Sequence, residues 1–275
     1  AEEVQAGVLQ GAAGVGLFRT EFLFAAGAPD EDIQVWEYKK AASYLPAGQP
    51  LCIRTLDPSR DKTPDIYTGQ RGIRYCLAHS EQFKIQLRAV LRAAAEYNAV
   101  RLLLPMVTDV KEVEETQRLI KECREELAGR GYQALTNLPV GVMIETPAAV
   151  FAADKLAAAA DFFSIGSGDL TQYTMACSRS TAGEDMYTAL SVLRAIRHAA
   201  AEAKFAKIPC HFCGDAAADA DMLSMLLSFG IPSFSVCPPL ISVLRREFYR
   251  MQGENSKRRT DYGNWNRNPL SMKKL

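Results

Sequence analysis

Several charged or thiol side chains stand where a short apolar run ends, and these residues have the clearest chemical potential in the sequence. In chain order they are Arg19, Arg54, Asp57, Glu145, Asp169, Cys213 and Asp215. Charged residues placed without regard to function would be spread over the faces of helices instead. If the apolar runs are parallel strands of a barrel, their ends meet at one opening, so the shared position predicts a common site.

The residue types indicate what this site binds. An arginine presents a planar fork of donors that suits phosphate, and it stays charged at any working pH. Two carboxylates from neighbouring strands, Glu145 and Asp169, can hold Mg²⁺, which completes its octahedron with water and ligand oxygens. Cys213 can donate a proton if it stays a thiol, although the sequence leaves its pKa open. The set predicts a site for a small phosphorylated acid held by arginines and a metal.

Each member of the set also has a purely structural interpretation. A strand-end arginine paired with a strand-end acid is equally well explained as an ion pair, and only the group of five (two arginines, two acids and a thiol) favours function. Cys210 and Cys213 form a C-x-x-C pattern, which is typical of metal or redox sites. Residues three apart in a strand point to opposite faces, so a shared zinc is disfavoured. Motifs for nucleotide phosphates or a serine nucleophile are absent from the sequence.

The elements that must position these residues are short strands alternating with helices. The apolar runs are unbroken, as expected of strands buried on both faces of a parallel sheet. They cover residues 15–19, 51–57, 100–107, 140–145, 162–166, 208–213 and 233–237. Helices are predicted at 3–11, 30–44, 81–97, 184–204, 219–228 and 240–251, with others starting at Asp109 and near Pro147. The fold class is therefore α/β.

The number of strands favours a (β/α)8 barrel of the triosephosphate-isomerase type over an open sheet. Seven strands are visible and such a barrel has eight, so we expect its first strand to lie ahead of residue 1, in a longer protein. Residues 1–252 are predicted to form the barrel domain. Residues 253–275 are polar and basic, and we predict a flexible solvated tail there rather than a basic contact arm.

Composition excludes several classes of protein. The chain has 275 residues, of which 48% are apolar, with 32 basic and 32 acidic side chains and no net charge. Long-range attraction to nucleic acid or to an anionic membrane is therefore not expected. No apolar run reaches the ~18 residues of a membrane helix, and the start lacks the features of a signal peptide. The seven cysteines are interpreted as reduced thiols of a cytoplasmic protein.

Longer strings around the strand ends carry a family resemblance. They are GVGLFRTEFLF (14–24), IRTLD (53–57), RGIR (71–74), LLPMV (103–107), VMIETPAA (142–149), FFSIGSGDLTQYTMA (162–176) and FCGD (212–215). In this order they resemble the C-terminal barrel of the phosphoenolpyruvate-utilising enzymes, most closely the enzyme I group of the bacterial sugar phosphotransferase system. The resemblance runs over nearly all of residues 4–250.

The resemblance implies a phosphoenolpyruvate-dependent phosphotransferase. Its barrel is expected to bind phosphoenolpyruvate and Mg²⁺, to form a homodimer, and to pass the phosphoryl group to a histidine on a separate swivelling domain. A small phosphocarrier protein would follow as a downstream partner. Carried over residue by residue, the resemblance gives the substrate ligands as Arg19, Arg54, Arg71, Arg179 and Asp169, the metal ligands as Glu145 and Asp169, and the proton donor to carbon as Cys213.

The sequence departs from the family pattern around the phosphate. The expected residues are replaced by Ser59 and Arg60 after the second strand, by Gly168 before Asp169, by Ser178 and Thr181 around Arg179, and by Asp215 after Cys213. The metal pair and the thiol acid are kept, whereas part of the phosphate cradle is altered.

Three functions are consistent with these residues. The first is the catalytic barrel of an enzyme-I-like phosphotransferase, which needs a partner histidine because the chain contains no Thr-Ser-His phosphoacceptor motif. The second is a sensing or dimerisation module with a degraded site. The third is a pyruvate- and Mg²⁺-dependent lyase that uses the same acids.

If Arg19 and Arg54 bind phosphate, the guanidinium group of each should be partly open to the mouth of the barrel.

Overall fold

Strands and helices alternate along the chain, and the strands lie side by side in their sequence order. A computed structural model of the protein describes residues 1–58, 70–178 and 184–261. Within these residues one seven-stranded sheet has the order β1 to β7, and all neighbouring strands are parallel. The strands are β1 (Val15–Phe18), β2 (Leu51–Arg54), β3 (Val100–Leu104), β4 (Val140–Ile144), β5 (Phe162–Gly166), β6 (Cys210–Cys213) and β7 (Ser233–Ser235).

The sheet curls into a nearly closed barrel. Its two edge strands lie in contact. A Cβ added at Gly16 of β1 would stand only 2.9 Å from the Cβ of Ser235 in β7. The described strands contain no hydrogen-bonded pairing between β7 and β1. The prediction of an α/β barrel is confirmed with seven of the eight strands of the (β/α)8 architecture, and the open seam lies between β7 and β1.

Burial explains why the strand sequences are apolar without alternation. Every residue of β2, β4 and β5 is buried, since helices cover the outer face of the barrel and side chains fill its interior. The strands at the seam are less buried, with only Phe18 of β1 fully covered and none of β7.

Helices form the outer layer. They are α1 (Glu2–Leu9), α2 (Glu31–Ser43), α3 (Gly72–Ala78), α4 (Ser80–Glu96), α5 (Val110–Gly129), α6 (Pro147–Phe151), α7 (Ala153–Ala159), α8 (Ser167–Thr174), α9 (Glu184–Tyr187), α10 (Leu190–Ala206), α11 (Ala220–Ser228) and α12 (Ile241–Asp261). The predicted capping box of α5 is present, with Asp109 and Glu112 bonding to each other's backbone N–H groups. None of the described helices has both the length and the apolar character needed to cross a bilayer.

Two short helices, one break and one helix end differ from the sequence prediction, the break dividing the predicted helix at 184–204 into α9 and α10. Helix α3 precedes the predicted helix at 81–97, and α8 begins directly after β5, with Asp169 in its first turn. Both are too short for a clear 3.6-residue period, which is why the apolar pattern did not reveal them. The last helix runs to Asp261 rather than to 251. The division into a domain of residues 1–252 and a tail stays a prediction, and residues 262–275 lie outside the described part.

An ion-pair network joins the helices on the outside of the barrel. Glu31 at the start of α2 accepts from Arg88 at 2.7 Å and from Arg92 at 2.8 Å, both on α4. The Glu31 side chain is only 14% exposed, so this carboxylate has lost most of its water and depends on the two guanidinium groups.

The barrel interior contains a small apolar layer. Cys52, Leu103, Met143 and Phe162 pack together there, with Leu17 against them. The Phe162 ring lies over Gly141 of the neighbouring strand, and a Cβ at Gly141 would stand 2.3 Å from two of its ring carbons. Glycine is therefore required beside this aromatic ring.

Gly141→Ala is expected to destabilise the protein by roughly 1–3 kcal/mol, because the buried ring must leave its rotamer or the strands must part. Thermal unfolding measured by circular dichroism checks this. Gly129→Ala is the matched control, since nothing lies within 4 Å of a Cβ at that position. Equal melting temperatures for the two variants would contradict the packing described here.

Candidate active site

Charged residues continue the inner face of the barrel beyond its apolar layer. Side chains alternate along a strand, so the residue two positions after an interior residue also faces inward. Leu17, Cys52 and Met143 belong to the apolar layer, and two positions further on stand Arg19, Arg54 and Glu145. The strand-end residues therefore meet at the carboxyl-terminal mouth of the barrel, as the sequence predicted.

Arg54 is buried and paired rather than open. It is 8% exposed, and its Nη2 donates to Oε1 of Glu21 at 2.8 Å. The expectation that its guanidinium opens to the mouth was wrong, because the carboxylate of Glu21 draws it inward. Its Nε is fully buried and has no hydrogen-bond partner among the described residues. A buried donor without an acceptor is costly, and a ligand oxygen would satisfy it.

Arg71 reaches the mouth from the loop before α3. Its Nε and Nη2 donate to the two carboxylate oxygens of Asp57, at 3.3 and 2.8 Å. Its Nη1 lies 3.3 Å from Oδ1 of Asp169 and donates to the Tyr173 hydroxyl at 3.0 Å.

Arg19, which follows β1, is exposed. Arg19 and Arg54, which the resemblance gives as phosphate ligands, thus differ in burial, because Arg19 is exposed and Arg54 is buried.

Glu145 and Asp169 form a buried acid pair. They are 1% and 4% exposed, and the backbone N–H of Met106 donates to Oε1 of Glu145 at 2.8 Å. Burial and then the neighbouring charge of Asp169 raise the pKa of Glu145 to about 8. Gly166 is needed beside the pair, because a Cβ there would lie 2.5 Å from Oε2 of Glu145.

Cys213 ends β6 within reach of this charge cluster. Burial raises the pKa of its thiol to about 11, while the nearby Arg19 lowers it and Glu145 raises it. Burial therefore settles the balance that the sequence left open, and the group is a thiol at neutral pH. Cys210 belongs to the hydrophobic core outside the barrel, so the two cysteines face opposite sides as expected.

One predicted residue lies apart from the cluster, and three others are not described by the structure. Asp215 is exposed and accepts a hydrogen bond from the backbone N–H of Cys237 at 2.9 Å. Arg179 lies outside the described residues, as do Ser59 and Arg60. The structure therefore brings together Arg19, Arg54, Arg71, Glu145, Asp169 and Cys213.

Glu21 is the functional candidate that sequence reasoning missed. It lies two residues after Arg19, in a 3-10 turn spanning Glu21–Phe24, and not at the end of a strand. The contact of Glu21 with Arg54 joins residues 33 apart in sequence, so no local pattern indicates it. The only signal for Glu21 in the sequence was its position inside the first family string.

Comparison with known proteins agrees with this arrangement. Residues 1–252 match the family described as PEP-utilising enzyme, PEP-binding domain. The chain belongs to this family. Enzymes of the family use metal ions. The motifs that carried the resemblance are the strings that place Arg19, Arg54, Arg71, Glu145, Asp169 and Cys213 at the mouth.

Curated relatives of this phosphoenolpyruvate-binding domain are longer proteins. The phosphoenolpyruvate-protein phosphotransferase of Cupriavidus necator is 37% identical in an alignment that covers 90% of this chain and 45% of that protein. The multiphosphoryl transfer protein of Rhodobacter capsulatus is 37% identical over 89% of this chain and 30% of its own length. The phosphoenolpyruvate-protein phosphotransferase of Geobacillus stearothermophilus is 33% identical over 94% and 46%. The chain thus spans less than half the length of these relatives.

Solved structures confirm the barrel fold of the phosphoenolpyruvate-binding domain. An aldolase/citrate lyase family protein from Burkholderia cenocepacia superposes with a TM-score of 0.55 at 14% identity, covering 92% of this chain and 90% of that one. A malate synthase from Haloferax volcanii superposes with a TM-score of 0.55 at 13% identity, covering 79% and 55%. At these identities the likeness concerns the fold alone.

The acid pair of the phosphoenolpyruvate-binding domain fits a divalent cation. Burial, and after it the charge of Asp169, raises the pKa of Glu145, and a cation between the two carboxylates would offset both effects. The described residues hold no group of three or more His, Cys, Asp or Glu side chains suited to a metal. An ion here would keep positions for water and ligand oxygens, which suits Mg²⁺ better than a closed zinc site.

Glu145→Gln is expected to raise the thermal stability of the metal-free domain at about pH 8.5 and to change it little at about pH 5. The pKa of Glu145 in the folded protein is about 8 against an ordinary 4.5. The folded state therefore binds more protons than the unfolded state in this window, and stability falls as pH rises through it. Glutamine avoids this loss and still accepts from Met106.

Melting temperatures measured across this pH range in a chelator check the prediction, with an expected difference of roughly 3 °C or more at the alkaline end. Glu114→Gln, at an exposed position of α5, is the control and should show no such pH dependence. A Glu145→Gln protein that melts below wild type at alkaline pH would contradict the burial of a charged carboxylate at this position.

Proposed function

We propose that this chain is the phosphoenolpyruvate- and Mg²⁺-binding catalytic domain of an enzyme-I-like phosphoenolpyruvate-protein phosphotransferase. The family match over residues 1–252 and relatives of that name support this function. The observation that carries it is the buried Nε of Arg54, which has no hydrogen-bond partner in the part of the chain that the structure describes and stands at a mouth that also holds Arg71 and the acid pair. Phosphoenolpyruvate supplies phosphate and carboxylate oxygens for such donors.

Arginines would hold the phosphate end of the ligand. Arg54 offers its Nε, which is unpaired among the described residues, and Arg71 offers Nη1, which now contacts Asp169 and Tyr173. Arg19 is exposed at the same mouth, and Arg179 is carried over from the family resemblance. Guanidinium forks bind phosphate oxygens in pairs, so these residues can fix the orientation of the ligand as well as its charge.

Glu145 and Asp169 would hold Mg²⁺. When bound, the ion neutralises charge on the phosphate and enolate oxygens of the ligand. The residues around the pair keep it dry, with Glu145 fixed by Met106 and Gly166 packed against its carboxylate. Because an oxygen ligand must be deprotonated, metal binding displaces the proton that the raised pKa of Glu145 favours.

Cys213 would complete the reaction by protonating carbon. The bond between phosphorus and the enol oxygen breaks, the phosphoryl group passes to a histidine nitrogen, and the electron pair stays on the oxygen as an enolate. The methylene carbon of the enolate then takes the thiol proton and becomes the methyl group of pyruvate. The pKa of about 11 keeps the proton on sulfur until the enolate forms. Solvent returns a proton to the thiolate.

The phosphoacceptor histidine would lie outside this domain. The chain covers 45%, 30% and 46% of the relatives described above, which leaves room in such proteins for a swivelling domain that carries the histidine. A small phosphocarrier protein is the expected next acceptor. Homodimerisation through the barrel and a cytoplasmic location remain expectations from the resemblance and from the sequence, and light scattering would measure the first of them.

Calorimetric titration with phosphoenolpyruvate, with and without Mg²⁺, tests the function. We expect metal-dependent binding with a Kd of about 1 mM or below, lost in Asp169→Asn and kept in the control Asp154→Asn, whose side chain is exposed. An absence of binding by the folded protein would favour the sensing or dimerisation module with a degraded cradle. Metal-dependent binding of pyruvate that is indifferent to the phosphate would favour the lyase.

Cys213→Ala should leave the binding of phosphoenolpyruvate and Mg²⁺ nearly unchanged and slow hydrogen exchange at the methyl group of pyruvate. The thiol makes no ground-state phosphate contact, whereas a placed general acid contributes about 10²-fold or more to proton transfer. Proton NMR in deuterated buffer measures this exchange. Cys210→Ala, on the outer face of the same strand, is the control. Exchange at the wild-type rate in Cys213→Ala would remove the thiol from the mechanism.

A further inference from the structure

Each buried or half-buried arginine at the mouth has a carboxylate behind it that is not part of the metal pair. Glu21 holds Arg54, and Asp57 holds Arg71. The side chains of these two acids are 11% and 3% exposed. Neither was assigned a role by the family resemblance. Two further negative charges beside a site for a negative ligand oppose its binding, so these acids need another role there.

Glu21 ties two parts of the mouth together through one oxygen. Its Oε1 accepts from Nη2 of Arg54 at 2.8 Å and from the backbone N–H of Asp57 at 3.1 Å. The guanidinium and the turn after β2 are thereby fixed to the turn after β1. Nη2 is occupied, whereas the buried Nε of Arg54 has no hydrogen-bond partner among the described residues. The contact therefore fixes which edge of the guanidinium stays unpaired.

Asp57 fixes the guanidinium plane of Arg71. Its two oxygens receive Nε and Nη2 in a fork, and Oδ1 also accepts from the backbone N–H of Gly72 at 2.9 Å. Gly72 has φ of +52° and packs against Pro105 and Met106, where a Cβ would meet backbone at 2.6 Å. The carboxylate is thus anchored to a rigid turn, and only Nη1 of Arg71 points to Asp169 and Tyr173.

We propose that Glu21 and Asp57 are positioning residues that hold Arg54 and Arg71 in the orientation that binds the phosphate of the substrate. This inference rests on the function proposed above. An arginine side chain has four rotatable bonds and much conformational entropy. Ordering it during folding means that the ligand does not have to order it on binding, which favours affinity. The acids therefore strengthen phosphate binding although their charge opposes it.

The sign of the effect separates this role from its alternatives. By charge alone, neutralising a carboxylate near a phosphate site should tighten the binding of an anion. If the ion pairs only stabilise the fold, neutralisation should lower the melting temperature and leave the affinity of the folded protein unchanged. If the carboxylates position the arginines, the isosteric Glu21→Gln and Asp57→Asn should each weaken phosphoenolpyruvate binding, by roughly 10–100-fold as for other supporting residues of sites.

Calorimetric titration of the whole chain with phosphoenolpyruvate in saturating Mg²⁺ measures these affinities. Glu31→Gln is the matched control, because Glu31 is a poorly exposed carboxylate that holds two arginines in the same way on the outer helices. It should lose stability and keep the affinity for phosphoenolpyruvate. Melting temperatures of all variants, taken in parallel, show that each protein is folded at the titration temperature.

Double variants test whether the acids act through the arginines. Asp57→Asn added to Arg71→Gln, and Glu21→Gln added to Arg54→Gln, should weaken binding no further than the arginine variant alone. The proposal would be overturned if the acid and the arginine substitutions weaken binding independently, so that their effects on affinity multiply. It would also be overturned if a single acid variant binds phosphoenolpyruvate as tightly as wild type or tighter. Both results would leave the proposed function in place. A folded wild-type chain that binds no phosphoenolpyruvate would instead refute the proposed function, and the positioning role with it.

Discussion

The structure depends on balancing buried charge at one end of the barrel. Among the described residues, Glu21, Asp57, Glu145 and Asp169 are buried or nearly so beside Arg54 and Arg71, with Arg19 exposed at the rim. Charges removed from water are tolerated only when they are paired and hydrogen-bonded. Because the raised pKa of Glu145 keeps this group protonated at neutral pH, the other three carboxylates balance the three arginines. A divalent cation that displaces this proton would leave an excess of positive charge at the mouth, which favours the binding of an anion.

The barrel makes such a cluster possible because side chains alternate along each strand. One face of each strand packs against the outer helices, and the other fills the interior with Cys52, Leu103, Met143 and Phe162. Beyond that layer the same inner face carries Arg19, Arg54 and Glu145. The glycines at 141 and 166 give room to a ring and a carboxylate respectively. Stability thus comes from the helices and the inner layer, and chemistry is confined to the mouth.

The parts of this site that could be predicted from the sequence are those set by position in a strand. Arg19, Arg54, Glu145 and Cys213 were found because apolar runs end at them, and parallel strands bring such ends together. The fold class followed from the same runs. Arg71 could not be found in this way because it precedes a short helix. Its role came from the family strings.

The remainder could not be predicted because it depends on contacts between distant parts of the chain. The burial of Arg54 results from Glu21, 33 residues away, and the orientation of Arg71 depends on Asp57 and on Asp169, 98 residues beyond it. No local pattern encodes these distances. The pKa of Cys213 likewise depends on how deeply the loops bury it, which only the folded chain determines.

A crystal structure of the chain with bound phosphoenolpyruvate and Mg²⁺ tests the central claim most directly. The account predicts the metal between the carboxylates of Glu145 and Asp169 at about 2.1 Å from their oxygens. It also predicts a phosphate oxygen within about 3 Å of the Nε of Arg54. A metal held elsewhere, or a bound phosphate that leaves this Nε without a partner, would contradict the account.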